Sequence, residues 1–229
     1  MIGKREKKPE SSIEDIFMTP SRKLIKTQES EADTSEKNIT KDEEQEKSQM
    51  NLSKYKRLPK SFFKTDVVDL SKKLLGKVIR RNLKDGTVLR ARIVETEAYK
   101  APDDKACHAY NNKRTKKTEA FWCDAGCWYV YTIYMPTNKC LNIVAADSES
   151  PEAVLIRAAE PIDGIKEMQK FTKKVGKDAP ADIRGLTNGP GKLGAALDMG
   201  VEYTCYDFCK EGNNDAYIEE EITYKLSED

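Results

Sequence analysis

No run of 18 consecutive apolar residues occurs in this sequence, so a transmembrane helix is not expected. The first ten residues carry charges without the apolar segment that a secretory signal needs. Without such a signal, we expect the six cysteines to be reduced thiols. Apolar residues are also scarce, at 38% of the chain against 34% charged residues, and the scarcity is uneven.

The apolar deficit is concentrated in residues 1–50, which hold 10 Lys and Arg against 12 Asp and Glu. A stretch rich in Glu, Lys, Ser and Gln cannot bury enough apolar surface to offset chain entropy. We therefore predict a disordered charged tail over residues 1–52, followed by one domain over residues 53–229. The basic cluster at residues 4–8 has the composition of a nuclear address, and we expect the protein in the nucleus.

The charge of the predicted domain changes sign along the chain. Residues 51–200 hold 28 Lys and Arg against 18 Asp and Glu, whereas residues 201–229 hold 2 against 9. A basic domain suits a polyanion such as nucleic acid, with a plain solvated surface as the alternative. We expect the acidic end to be a surface segment that faces away from any phosphate backbone.

Two cysteine pairs, Cys123 with Cys127 and Cys205 with Cys209, have a spacing that a structural zinc site permits. The loose spacing and acidic setting favour small apolar thiols instead, and no metal is predicted. His108 is the only histidine, and it follows Cys107. A Cys–His nucleophile is not favoured there, because adjacent residues usually point apart.

Hydrophobic periodicity and turn residues predict the regular elements. The predicted helices cover residues 67–75, 164–171 and 190–199, the first capped by Thr65 or Asp66 and stopped by Gly76. The predicted strands cover residues 77–83, 87–98, 129–134, 140–145 and 153–158. Because these strands pair mostly through hairpins, we predict an α+β fold, a single mixed domain with a curved, mostly antiparallel sheet and flanking helices.

The strand RIVETEAY, residues 92–99, carries two closely spaced carboxylates. Side chains alternate along a strand, so its shared face is predicted to hold Ile93, Glu95, Glu97 and Tyr99. Such carboxylates can bind a metal, act as an acid–base pair or be plain surface charges.

A second strand, YVYTIY at residues 129–134, is rich in tyrosine. Tyr129 and Tyr131 are predicted on one face and Tyr134 on the other, where core packing or base stacking can use them. A carboxylate that holds a water beside flat rings suits an enzyme that grips an extruded base and cuts its bond to sugar.

Two basic segments are candidates for phosphate contact. Residues 111–118, NNKRTKKT, form a loop that is either solvated or bound to phosphate through Lys113, Arg114, Lys116 and Lys117. Residues 188–193, NGPGKL, open a helix with Lys192 near its start, where free backbone N–H groups favour anions. The glycine spacing is not that of a P-loop, so ATP binding is not predicted.

Together these motifs resemble the alkyladenine (3-methyladenine) DNA glycosylase family over about residues 55–200. The matching segments, in order, are LLGKV at 74–78, RIVETEAY at 92–99, ACH at 106–108, KRT at 113–115 with Phe121, YVYTIY at 129–134 with LN at 141–142, LIRA at 155–158 with EP at 160–161, and residues 188–197. The resemblance implies a base-excision repair enzyme without a cofactor, acting as a monomer on double-stranded DNA that contains damaged purines.

The resemblance also implies roles for single residues. Glu97 would activate water for attack on the sugar carbon, and Arg157 would help to hold that water. Tyr134 would fill the gap left in the duplex. The base pocket would be formed by Tyr99, His108, Tyr131 and Asn142, the last limiting access of normal guanine. With water as nucleophile and no matched active-site lysine, the enzyme would release alkylated or deaminated purines without cleaving the strand.

The sequence departs from the family pattern in two places. The segment after Tyr134 is one residue longer before Asn142, and Pro136 is expected to bend it. Residues 201–229 do not match the usual ending, so the domain is expected to be truncated at its C-terminal end. A second hypothesis is therefore a catalytically impaired damage- or nucleic-acid-binding protein of the same fold. A third is a metal-dependent nuclease that uses Glu95 and Glu97. The tail is a possible site for a repair-protein partner.

Overall fold

The computed structural model describes residues 54–226, except residues 135, 148, 179 and 181. The tail predicted over residues 1–52 lies outside these residues. The strands are β1 (Tyr55–Arg57), β2 (Val78–Asn82), β3 (Val88–Lys100), β4 (Trp128–Thr132), β5 (Lys139–Val144), β6 (Glu152–Asp163) and β7 (Ala216–Glu221). The α-helices are α1 (Lys60–Phe63), α2 (Val67–Leu74), α3 (Ile165–Lys174) and α4 (Pro190–Ala196).

All seven strands belong to one open sheet in the order β1-β7-β2-β3-β6-β5-β4, and every pair in it is antiparallel. The predicted α+β fold with an antiparallel sheet and flanking helices is therefore confirmed. Over the part of the chain that the structure describes, none of the helices combines the length and apolar character that crossing a membrane requires.

Helix α2 follows the sequence pattern closely. Asp66 caps it, since its side chain accepts a hydrogen bond of 2.9 Å from the Val68 backbone N–H. The buried Val67, Leu70 and Leu74 form one stripe against the sheet. Gly76 follows with a φ of +79°, a conformation that favours glycine, and the chain turns into β2.

The pairing of β3 with β6 contains an irregularity that shapes the site. Ile93 pairs with Ala159, Glu95 with Ala158, and Thr96 with Ile156. Val94 on β3 and Arg157 on β6 are therefore extra residues without a direct partner in this ladder. The bulge shifts the alternation of side chains, so the prediction that Ile93 shares a face with Tyr99 is wrong. Ile93 is buried in the main core, whereas Tyr99 packs against a second cluster.

Two apolar clusters flank the sheet. The larger is the core that the sheet forms with α2, α3 and α4, through residues such as Leu70, Trp128 and Leu193. The smaller contains Phe121, Tyr129 and Ala153, with Tyr99 and Tyr131 packed against it. The second cluster holds the aromatic strand β4 against the loops between β3 and β4.

The acidic C-terminal segment lies within the sheet, which corrects the prediction of a surface segment. Strand β7 lies between β1 and β2, and Glu219 is 2% exposed. Glu219 Oε1 is 2.5 Å from Arg90 Nε, and Glu221 Oε2 is 2.6 Å from Arg92 Nη2. The negative charges of β7 thus pair with positive charges from residues 51–200. The basic and the acidic parts of the chain therefore contribute strands to the same sheet.

Candidate active site

Glu97 is held at both carboxylate oxygens. The hydroxyl of Tyr99 donates to Oε2 at 2.5 Å, and Arg157 Nε lies 3.2 Å from Oε1. The tyrosine comes from the same strand, two residues on, and the arginine is the extra residue on β6. The bulged pairing therefore brings together the two residues predicted to be catalytic.

Tyr99 is a stable proton donor at this position. Burial, followed by the hydrogen bond to Glu97 and its charge, raises the pKa of Tyr99 to about 12. The phenol thus keeps its proton throughout the neutral range, and it orients the carboxylate without competing for a proton.

Tyr99, the partner of Glu97, forms part of the wall of a cavity of about 190 Å³ whose lining is mostly aromatic. The residues that line it are Tyr99, Ala106, His108, Phe121, Tyr129, Tyr131 and Asn142. The ring centroids of His108 and Tyr131 are 4.7 Å apart, and those of Tyr129 and Tyr131 are 5.4 Å apart. All four residues predicted for the base pocket line this one cavity.

His108 contributes a neutral ring to the cavity. Its Nδ1 lies 3.0 Å from the hydroxyl of Tyr129. Burial, and then the positive charge of Lys117, lowers the pKa of His108. The preceding Cys107 is buried in the second apolar cluster, where burial raises the pKa of its thiol. This arrangement does not fit a Cys–His nucleophile.

Asn142 is a buried residue of the cavity wall. Its Nδ2 donates to the carbonyl oxygens of Tyr129, at 3.0 Å, and Cys140, at 3.3 Å. The side chain is 3% exposed and comes from β5, which pairs directly with the tyrosine strand. These two hydrogen bonds fix the orientation of the Asn142 amide in the cavity wall.

Tyr134 lies outside the cavity and outside the strand predicted for it. Strand β4 ends at Thr132, and Tyr134 has a φ of +58° and is 96% exposed. A positive φ is uncommon for a residue other than glycine. A fully exposed aromatic ring is also unusual, because aromatic rings are usually at least partly buried. The turn places the ring of Tyr134 in solvent at the tip of the β4–β5 hairpin.

The predicted phosphate contacts fall into two structural groups. Lys113, Lys116 and Lys117 are exposed in the loop before Phe121, and Lys117 Nζ lies 5.7 Å from the ring centroid of Tyr131. In the same loop Arg114 Nη2 forms an ion pair of 2.5 Å with Glu119. Lys192 lies apart from this loop, at the start of α4, and its Nζ donates to Asn188 Oδ1 at 2.9 Å.

The described residues contain no group of three or more His, Cys, Asp and Glu that could hold a metal ion. Glu95 is exposed and has no hydrogen-bond or ion-pair partner among them, whereas Glu97 has two. The two carboxylates therefore differ in their surroundings, and their arrangement does not fit a shared metal site.

Three cavity residues were not included among the predicted pocket residues, namely Ala106, Phe121 and Tyr129. Alternation along β4 gives the signal for Tyr129, which shares a face with Tyr131. Phe121 is part of a segment that resembles the family, but no local pattern assigns it to the pocket, because its ring reaches Tyr129 only through the folded loop, at a centroid distance of 4.9 Å.

The chain is similar to known DNA glycosylases. Residues 61–228 match the family model of methylpurine-DNA glycosylase (MPG), and this match includes the segment after residue 200. A "Putative 3-methyladenine DNA glycosylase" of Natranaerobius thermophilus is 46% identical over 62% of this chain and 68% of its own length. A protein of the same name from Clostridium botulinum is 39% identical over 71% of this chain and 80% of its own length. Another, from Desulfitobacterium hafniense, is 40% identical over 75% of this chain and 83% of its own length.

These relatives are bacterial, so they give no support to the predicted nuclear location. The match to the family model covers well over half of the chain and contains both Glu97 and the cavity residues. The chain therefore belongs to the methylpurine-DNA glycosylase family, whose members hydrolyse the N-glycosidic bonds of DNA bases.

Proposed function

We propose that this protein turns an alkylated or deaminated purine out of duplex DNA and hydrolyses its N-glycosidic bond with a water activated by Glu97. The observation that carries the proposal is the position of Glu97, a carboxylate held by Arg157 and by Tyr99, which lines the aromatic cavity. A base can enter such a cavity only after it leaves the stack of the duplex.

The aromatic walls favour a flat, electron-poor base. Tyrosine rings present negative faces, and a neutral histidine adds no positive charge that would oppose a cationic purine. Many alkylated purines carry a positive charge, which these walls would stabilise. The naming of the relatives after 3-methyladenine agrees with this substrate class.

The carboxylate of Glu97 retains room for the attacking water. Each of its oxygens has one described protein partner, whereas a carboxylate offers about four acceptor positions. Its side chain is 36% exposed, so solvent reaches it. We propose that Glu97 takes the proton of a bound water as the water attacks the sugar carbon, and that Arg157 stabilises the carboxylate and holds the water near it.

Among the residues that the structure describes, the cavity lining contains no lysine whose amine could form a covalent imine with the sugar. We propose release of the base without strand cleavage. Tyr134 would fill the space that the base leaves, and the lysines Lys113, Lys116, Lys117 and Lys192 would contact phosphates, with Arg114 beside them. The enzyme would act as a monomer, and residues 1–52 would offer a site for a repair-protein partner.

A duplex with one hypoxanthine or 1,N6-ethenoadenine tests this proposal, with a chelator present in a parallel reaction. We expect alkali-labile abasic sites at the lesion, an intact strand before alkali treatment, and no effect of the chelator. Specific binding without release would instead identify a catalytically impaired binding protein. Loss of activity with the chelator would point to a metal-dependent enzyme.

A further inference from the structure

The hairpin that carries Tyr134 is at the edge of the sheet. Strand β4 is the last in the strand order, and among the described strands it pairs with β5 alone. Between the two strands the turn closes with a hydrogen bond of 3.0 Å from Ile133 N to Asn138 O. An edge hairpin with an exposed aromatic tip needs support from outside the sheet to keep one orientation.

Helix α4 supplies part of this support through two glycines. A Cβ atom added at Gly194 would lie 2.4 Å from the carbonyl oxygen of Lys139. One added at Gly191 would lie 3.2 Å from side-chain atoms of Asn138. At Gly194 the helix thus approaches the base of the hairpin more closely than a residue with a Cβ would allow, and at Gly191 it lies in tight contact with the turn.

Lys177 joins this contact from a third segment, the loop after α3. Its Nζ donates to Asn138 Oδ1 at 2.8 Å and to the carbonyl oxygen of Gly191 at 3.1 Å. The side chain is half-buried, and burial, followed by the charge of Lys192, lowers the pKa of Lys177. Removing a half-buried cation from water has a cost that these two acceptors offset.

We propose that Lys177 is a positioning residue that fixes the β4–β5 hairpin on α4 so that Tyr134 meets the duplex in the orientation needed to replace the flipped base. This inference rests on the proposed function, and it adds a residue remote from the cavity. Lys177 contacts the segment that follows Tyr134, since Asn138 lies in the turn between Tyr134 and Asn142.

Lys177→Met tests the inference because it keeps the aliphatic stem and removes the charged donor. We expect single-turnover excision of ethenoadenine at saturating enzyme to fall about tenfold, because the substitution removes both charge-assisted hydrogen bonds that hold the hairpin on α4. The fluorescence change that reports the flipped ethenoadenine should fall with it. Lys177→Arg should recover part of both signals. Lys173→Met, which removes an exposed cation of α3, serves as the matched control and should behave like wild type.

A double-mutant cycle with Tyr134→Ala separates positioning from a general loss of structure. If Lys177 acts through Tyr134, Lys177→Met should add no further loss of rate in the Tyr134→Ala background. Full additivity would overturn the inference, as would a Lys177→Met rate within twofold of wild type. Should Lys177→Met fail to fold, Asn138→Ala removes the acceptor and is subject to the same criteria. A wild-type protein that releases no base would overturn the proposed function itself.

Discussion

The hydroxyl of Tyr99 donates to Glu97 Oε2 from two residues further along the same strand, at 2.5 Å. Strand alternation alone brings these side chains to one face, and the bulge at Val94 then turns that face away from the main core. The consequence is an oriented carboxylate whose position depends on the backbone, on the phenol of Tyr99 and on Arg157.

Tyr99→Phe should lower the excision rate about tenfold to a hundredfold. The substitution keeps the ring that lines the cavity and removes the hydrogen bond to a charged acceptor, which is worth about 1.5–3 kcal/mol. Single-turnover kinetics should register the loss while affinity for the lesion duplex changes little. A rate equal to wild type would show that Tyr99 acts only as a wall of the pocket.

The basic loop should contact the DNA backbone unevenly. Replacing Lys113, Lys116 and Lys117 with Ala should weaken duplex binding and reduce the log–log salt slope by about 0.9 for each phosphate that no longer has a lysine partner. Arg114→Ala should change the slope less, because Arg114 is already paired with Glu119. Binding titrations at several salt concentrations measure these slopes. Equal slopes for all four variants and wild type would show that the loop is solvated and does not contact phosphates.

The buried pair of Arg90 and Glu219 should be important for stability. Arg90→Met leaves Glu219 as a buried charge without its closest partner, which costs about 3–5 kcal/mol. The double variant Arg90→Met/Glu219→Met should recover much of that loss, because neither charge then remains. Urea unfolding measures the difference, with Arg114→Met as an exposed control. A double variant no more stable than the single one would contradict this account.

The local elements were largely predictable, whereas their long-range pairing was not. The cap at Asp66, the turn at Gly86 and the alternation of Tyr129 and Tyr131 are local features that sequence periodicity expresses. Strand β7 pairs Ala216 with Arg81, and no local pattern indicates a partner so distant in sequence. The Glu-rich composition of β7 is typical of a solvated segment. The arginines that pair with these glutamates lie on another strand, so the local sequence does not reveal them.

The candidate site shows the same division. Resemblance to the family indicated Glu97, Arg157 and the four pocket residues, which lie together in the structure. The face assigned to Ile93 was wrong because a single bulged residue reverses the alternation, and composition does not reveal a bulge. The ion pair of Arg114 with Glu119 and the hydrogen bond of Lys177 to Asn138 likewise depend on folded loops.

The most direct measurement of the central claim compares Glu97→Gln with Glu95→Gln in single-turnover excision. Glutamine keeps the size of the side chain but cannot take a proton from water, and loss of a general base commonly lowers the rate by about 10²–10⁴. We expect Glu97→Gln to release the base more slowly by that factor while it still binds the lesion duplex. Glu95→Gln, a change at an exposed carboxylate on the same strand, should stay close to wild type. Equal losses from both substitutions, or full activity of Glu97→Gln, would contradict the assignment of Glu97 as the single base.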